Sequence, residues 1–183
     1  MEVVEGTAAI EDVEAFLERL DAVADTHGVT IQAFDARYVV SREHLERAVE
    51  LATRAIDRGE AIAREEGVEI LLYAAGCRQI DRALDMGIPE GESPVVAVVV
   101  DTDRESPAGD PADGKLPAGN PTDSERAAAA DLREHLDPAA TLEKYDEDLV
   151  CEFFGITDRE RDATAGDLAD LVYERVALLV VER

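Results

Sequence analysis

The stretch PVVAVVV, residues 94–100, carries the strongest fold signal in the sequence. After the proline comes a run of six apolar residues, five of them β-branched valines, and β-branched residues favour strands. We therefore predict that this run is the central strand of a sheet. Earlier in the chain, residues 3–9 and 29–34 have the same β-rich character and predict two more strands.

Helices are predicted wherever apolar residues recur every three or four positions. Ser41 is a good N-cap for one of them, and Gly59 ends that helix. His27 and Gly28 end an earlier one. The predicted helices are 10–27, 41–58, a short piece at 60–66, 78–86, 124–136, 142–153 and 165–180.

The segment VEILLYA, residues 68–74, is short, apolar and bounded by a glycine turn. We predict a strand there. A buried helix is the alternative, because periodicity cannot separate the two when every position is apolar. The fold class is thus a single-domain α/β protein spanning residues 1–183. Its mixed or antiparallel sheet has about four strands covered by helices, and residues 102–124 form a Pro/Gly-rich surface loop.

The composition is strongly acidic. Of 183 residues, 43 are acidic and 18 basic, giving a formal net charge of −25, and only Lys115 and Lys144 are lysines. Self-repulsion of this size is screened at molar ionic strength, so the composition is interpreted as halophilic adaptation. It argues against nonspecific nucleic-acid binding, which needs a basic surface, unless local charge differs from the average.

Signals for catalysis, metal binding and membrane insertion are not found in the sequence. There is no phosphate-binding glycine loop, no nucleophile elbow and no paired-cysteine motif, since Cys77 and Cys151 stand far apart. His44 is expected on the exposed flank of its helix, and the acids at 146–148, which follow Tyr145, are expected to be solvated. The sequence predicts a cytoplasmic protein, not an enzyme, with no cofactor, no metal, no small-molecule substrate and no membrane partner.

One segment departs from the acidic average. Residues 37–82 hold eight arginines against nine acids and are nearly neutral. On the helix predicted at 41–58, Arg47, Arg54 and Arg58 share one face, where guanidinium groups can bind phosphates. Ion pairing within the helix, for example of Arg54 with Glu50, explains the same spacing and is favoured by spacing alone.

A second feature is VEILLYAAGCRQIDRALDMGI, residues 68–88, in which a buried segment turns at Gly76 into a short helix. Arg78 and Gln79 stand at the predicted start of that helix, beside unpaired backbone N–H groups. An anion or a base edge can bind in such a place. Taken alone, the pattern also fits many other connections in which a buried strand turns into a helix.

These residues resemble the signature segment of the haloarchaeal-type KEOPS regulatory subunits of the TPRKB (PRPK-binding protein) family. The resemblance extends upstream over QAFDARYVVSREHLERAVELATRAI, downstream over PVVAVVV, and to ERVALL in the last helix. Cys77 departs from the pattern, where relatives carry Ser or Thr. The matching positions are Glu69, Leu71, Leu72, Gly76, Arg78, Gln79, Ile80, Ala83, Leu84, Gly87 and Ile88.

The resemblance implies a non-catalytic subunit of the KEOPS complex. Such a subunit docks on the kinase-like ATPase of the complex, grips the tRNA acceptor end and supports threonylcarbamoyladenosine modification; docking without RNA contact is the alternative. Tyr38 and Tyr73 are the aromatics nearest to the implied RNA contact. The implied tRNA-binding residues are Arg78, Gln79, Arg47, Arg54 and Arg58. The implied kinase-binding residues are Ile80, Ala83, Leu84, Ile88, Leu168 and Leu171, and the sequence leaves open which of these belong to the core.

Overall fold

The computed structural model describes residues 1–101 and 121–180. Its sheet has three antiparallel strands, β1 (Glu2–Ile10), β2 (Val29–Asp35) and β3 (Gly91–Asp101), in the order β1-β3-β2. The predicted central strand is confirmed, because β3 pairs with both neighbours and residues 95–100 are all buried. Most of the predicted loop at 102–124 lies outside the described residues, and its described end, Thr122, caps a helix.

Eight α-helices are described in these two ranges. Two short 3-10 turns, Ala36–Tyr38 and Leu84–Met86, add to them. The helices are α1 (Val13–His27), α2 (Arg42–Asp57), α3 (Glu66–Ala74), α4 (Ile80–Ala83), α5 (Asp123–Arg133), α6 (Glu147–Phe154), α7 (Asp158–Ala163) and α8 (Leu168–Leu178).

Both faces of the sheet are covered, because β3 alternates its side chains between two apolar cores. Val96, Val98 and Val100 pack with residues of α2, α3, α6 and α8. Val95, Ala97 and Val99 pack on the other face with residues of α1 and α5. The single α/β domain is therefore a three-layer sandwich, and the arginine-bearing helix α2 lies in the layer opposite to α1 and α5.

The strand predicted at 68–74 is wrong: these residues belong to helix α3, so the sheet has three strands rather than about four. α3 packs against α2 and β2, which buries every residue from Glu69 to Ala74. A helix enclosed on all sides needs no polar face, so its sequence carries no 3.6-residue period to identify it.

The short helical piece predicted at 60–66 is also wrong. The buried carboxylate of Glu69 accepts hydrogen bonds from the backbone N–H of Ile62 at 2.9 Å and of Ala63 at 2.7 Å. This carboxylate holds the connection between α2 and α3 in a non-helical bend. Glu69 is thereby a structural residue, which accounts for a fully buried acid in the apolar layer.

Candidate functional site

The signature segment turns at Gly76, immediately after α3. Gly76 has φ +58°, its N–H donates to the Tyr73 carbonyl at 3.0 Å, and the Cys77 N–H donates to the Leu72 carbonyl at 3.2 Å. This is a Schellman motif, which favours glycine at the left-handed position. A Cβ at Gly76 would lie 3.3 Å from the backbone of Arg175 in α8. The turn is therefore a packed junction between α3 and α8.

A residue from α2 completes the junction. His44 is fully buried, and its Nε2 donates to the Ala74 carbonyl at 2.8 Å, an acceptor that the Schellman bonds leave unused. Burial lowers the pKa of His44 to about 4, so the ring is neutral at pH 7. Its Nδ1 has no hydrogen-bond partner within the described part of the chain. The expectation of an exposed histidine is wrong, because the side of α2 that carries His44 packs against the end of α3 and the Phe154 ring.

The packing at Gly76 gives a stability prediction. Gly76→Ala is expected to cost about 2 kcal/mol of unfolding free energy, because it combines a left-handed conformation with a tight contact on α8. Gly59→Ala is the matched control: its φ is +67°, but a Cβ there meets nothing within 4 Å, so we expect a loss of about 1 kcal/mol. Chemical denaturation of both variants measures the difference. Equal losses would show that α8 does not constrain the turn.

Arg78 and Gln79 follow the junction, and both side chains are exposed to solvent. The helix that follows begins at Ile80, two residues later than predicted, and Gln79 is its N-cap residue without a side-chain cap. α4 has only four residues, so the expected anion site at a helix start is replaced by two exposed side chains on a fixed turn. The position of Arg78 is thus set by the junction rather than by a helix.

α4 is held in place by an arginine from within it. The Arg82 guanidinium donates to the Phe153 carbonyl at the end of α6 and lies over the Phe153 ring at 5.5 Å. Arg175 donates to the Phe154 carbonyl at 3.4 Å. These two cations satisfy carbonyls at the negative end of the α6 dipole, and they tie α4 and α8 to α6.

The three arginines on α2 share one side of the helix, but their surroundings differ. Arg54 donates to Glu50 at 2.5 Å, so the ion-pairing interpretation is confirmed for that pair. Arg47 lies 3.7 Å from Glu43. Arg58 is exposed and forms no salt bridge with residues 1–101 or 121–180. Half-buried arginine pairs of this kind contribute little to stability, roughly 0.3–0.5 kcal/mol each.

The aromatic residue beside this arginine row is Tyr173 of α8, which the sequence analysis missed. Its ring lies under Arg47, 5.5 Å from Cζ, and its hydroxyl is 2.6 Å from the Ser41 hydroxyl. The two tyrosines expected near the contact are used elsewhere: Tyr73 is buried in the core, and Tyr38 packs edge-on against Phe153. Arg47 and Tyr173 are 126 positions apart in sequence, so no local pattern could indicate that they pair.

The six apolar residues assigned to kinase binding divide sharply by exposure. Ala83, Ile88, Leu168 and Leu171 are buried and form part of the two cores, whereas Ile80 is 46% and Leu84 is 56% exposed. Leu178, near the end of α8, is 40% exposed and was not among the predicted residues. The inward face of α8 is used for folding, so only side chains off that face are open to a partner.

The comparison with known families identifies the chain. Residues 9–179 match the family described as kinase binding protein CGI-121. The chain belongs to this family. The comparison with curated proteins found no significant match. The match to the CGI-121 family spans the Gly76 junction, α4 and α8.

Three further features of this CGI-121 family member describe its surface and its helices. An open groove of about 640 Å³ lies between α6, α7 and α8, with Tyr145, Asp158, Arg161 and Leu168 among its lining residues. In the described ranges, no three or more His, Cys, Asp or Glu side chains are grouped as a metal site would need. None of the helices described is long and apolar enough to span a bilayer.

Proposed function

We propose that this CGI-121 family member is a non-catalytic regulatory subunit of a KEOPS complex, of the haloarchaeal type. In this role it docks on the kinase-like ATPase of the complex and binds the single-stranded acceptor end of tRNA, supporting threonylcarbamoyladenosine modification. One observation carries the proposal: Arg78, Gln79, Ile80 and Leu84 are all exposed on one short segment that the Gly76 junction holds rigid.

The apolar part of this segment supports kinase docking. Ile80 and Leu84 stand four residues apart on α4 and the turn that follows, and both expose large aliphatic side chains. Burying such side chains in a partner is the main source of affinity at protein interfaces. α8 contacts the same turn at Arg175, three residues before exposed Leu178, which extends the proposed surface.

The polar part supports RNA binding. Arg78 carries no salt bridge with residues 1–101 or 121–180, so its guanidinium is available to a phosphate or a base. It lies in the nearly neutral stretch 37–82, where electrostatic repulsion of RNA is weaker than over the strongly acidic remainder of the chain. Single-stranded RNA ends are bound by such side chains through stacking and edge contacts.

We expect Arg78→Glu to weaken tRNA binding about tenfold and to leave folding and kinase binding unchanged. Arg133→Glu is the matched control, because Arg133 is an exposed arginine on α5, in the layer on the other side of the sheet. Filter binding in molar KCl measures the affinities. Equal affinities of wild type, Arg78→Glu and Arg133→Glu would remove Arg78 from the binding site.

Kinase docking without direct RNA contact is the second candidate, and the ion pairs on α2 favour it. Arg47 and Arg54 each lie beside a glutamate four residues earlier, which reduces the charge they offer to phosphates. This candidate predicts that the purified chain binds the kinase-like subunit and has no measurable tRNA affinity. The same titration with wild-type protein therefore separates the two functions.

A further inference from the structure

The Tyr173 ring is fixed at the N-terminus of α2. Its hydroxyl is hydrogen-bonded to Ser41, whose side chain also caps α2 by accepting from the His44 N–H at 3.1 Å. Burial raises the pKa of Tyr173, so the phenol stays protonated and keeps this bond. A half-buried aromatic ring with a bonded hydroxyl has little freedom to move, so it provides a rigid base for whatever lies on it.

Arg47 is the side chain that lies on this ring. Its Cζ is 5.5 Å from the ring centroid, and its 3.7 Å separation from Glu43 is too long for a hydrogen bond. Arg54, in contrast, is hydrogen-bonded to Glu50 at 2.5 Å. Arg47 is therefore oriented by an aromatic face and keeps 36% of its side chain exposed. Within the described residues, no other arginine of the row has an aromatic ring beneath it.

We propose that Arg47, held on Tyr173, is a stacking surface for an unpaired nucleobase of the tRNA acceptor end. This inference rests on the proposed function and assigns different roles within the arginine row: Arg47 stacks, whereas Arg58 contributes charge alone. Guanidinium planes are established stacking partners for splayed RNA bases. In molar salt the Debye length is about 3 Å, so charge contacts are screened and stacking carries more of the affinity.

The position of the Arg47–Tyr173 pair agrees with this role. His44, three residues before Arg47, bonds to Ala74, four residues before Arg78. Arg47 and Arg78 therefore lie at the same end of the antiparallel α2–α3 pair, around one junction. Arg58, the C-cap residue of α2, lies eleven residues beyond Arg47, a rise of about 16 Å along the helix axis at 1.5 Å per residue. A short single strand that reaches Arg78 thus passes close to Arg47 and not to Arg58.

Charge-conserving variants test the assignment. The probe is a tRNA whose unpaired 3′-terminal base is replaced by 2-aminopurine, a base whose fluorescence is quenched by stacking. Arg47→Lys keeps the charge and loses the plane, so we expect tRNA affinity to fall about tenfold and the protein-induced quenching to be lost. Arg133→Lys, at an exposed position on α5 in the layer on the other side of the sheet, is the matched control, with affinity within about twofold of wild type and unchanged quenching.

Variants at Tyr173 test the ring itself. Tyr173→Leu removes the ring, so we expect it to match Arg47→Lys. Tyr173→Phe keeps the ring and loses only the bond to Ser41, so affinity is expected to stay within about threefold of wild type. Thermal unfolding of both variants confirms that they are folded before binding is compared.

The outcomes separate this inference from the proposed function. If Arg47→Lys and Arg133→Lys both bind like wild type while Arg78→Glu loses affinity, the stacking role is overturned and tRNA binding stands. If the wild-type chain itself does not bind the tRNA, the RNA half of the proposed function fails and the stacking role fails with it. If Arg47→Lys loses affinity and quenching while the control variant does not, the result supports both the stacking role of Arg47 and tRNA binding by the chain.

Discussion

Leu84→Glu is expected to fold like the wild type and to bind the kinase-like ATPase about 100-fold more weakly. Leu84 has the largest exposed fraction, 56%, among the large apolar residues that the structure describes as exposed, so a charge there does not disturb the core. In a docked complex the same carboxylate is removed from water without a partner, which costs several kcal/mol. Isothermal titration against the purified kinase-like subunit in molar KCl measures the loss.

Leu17→Glu is the control for this experiment. Leu17 is 43% exposed on α1, in the layer on the opposite side of the sheet, so its substitution has the same chemistry at a site away from the proposed surface. We expect its kinase affinity to equal that of wild type. Equal affinity of Leu84→Glu and Leu17→Glu would place the kinase on another surface, and a loss in both would indicate a general effect of added charge.

The stability of the fold is expected to fall steeply between pH 6.5 and pH 4 because of His44. Its pKa is lowered from about 6.5 in the unfolded chain to about 4 in the folded one, since burial penalises the charged ring. The unfolded state therefore binds more protons in this window, and stability falls as the pH falls. The unfolding free energy lost through His44, relative to its value above pH 7, amounts to about 2 kcal/mol at pH 5 and about 3 kcal/mol at pH 4.

His44→Gln isolates this contribution, because glutamine keeps an N–H donor for the Ala74 carbonyl and does not titrate. Protonation of the many surface carboxylates affects both proteins alike, and it relieves charge repulsion in the opposite direction. Glu160, whose pKa is lowered to about 2 by bonds from Thr157 and Arg175, titrates below the window. Urea denaturation from pH 7 to pH 4 is expected to show a steeper loss for wild type. Parallel curves would mean that His44 is solvated.

Local signals were sufficient for much of the fold. The valine run at 95–100 identified the central strand, and Ser41 and Gly59 marked the limits of α2, because caps and β-branched runs act within a few residues. α3 was mistaken for a strand because it is buried on all sides. No helix was predicted between those at 142–153 and 165–180, where α7 lies, because α7 is short and has no buried residue, and therefore no apolar stripe to indicate it.

Composition and local pattern were enough to predict an acidic α/β protein with a buried central strand, and to single out residues 68–88 as its distinctive segment. Which side chains of that segment face outward depends on the packing of the helices: Arg78, Gln79, Ile80 and Leu84 are exposed, whereas Ala83 and Ile88 lie in the core. The same packing also brings Tyr173 beneath Arg47 and His44 onto Ala74. The physical reason is that caps and periodicity depend on neighbours within a turn or two, whereas exposure and long-range contacts depend on which helices pack together.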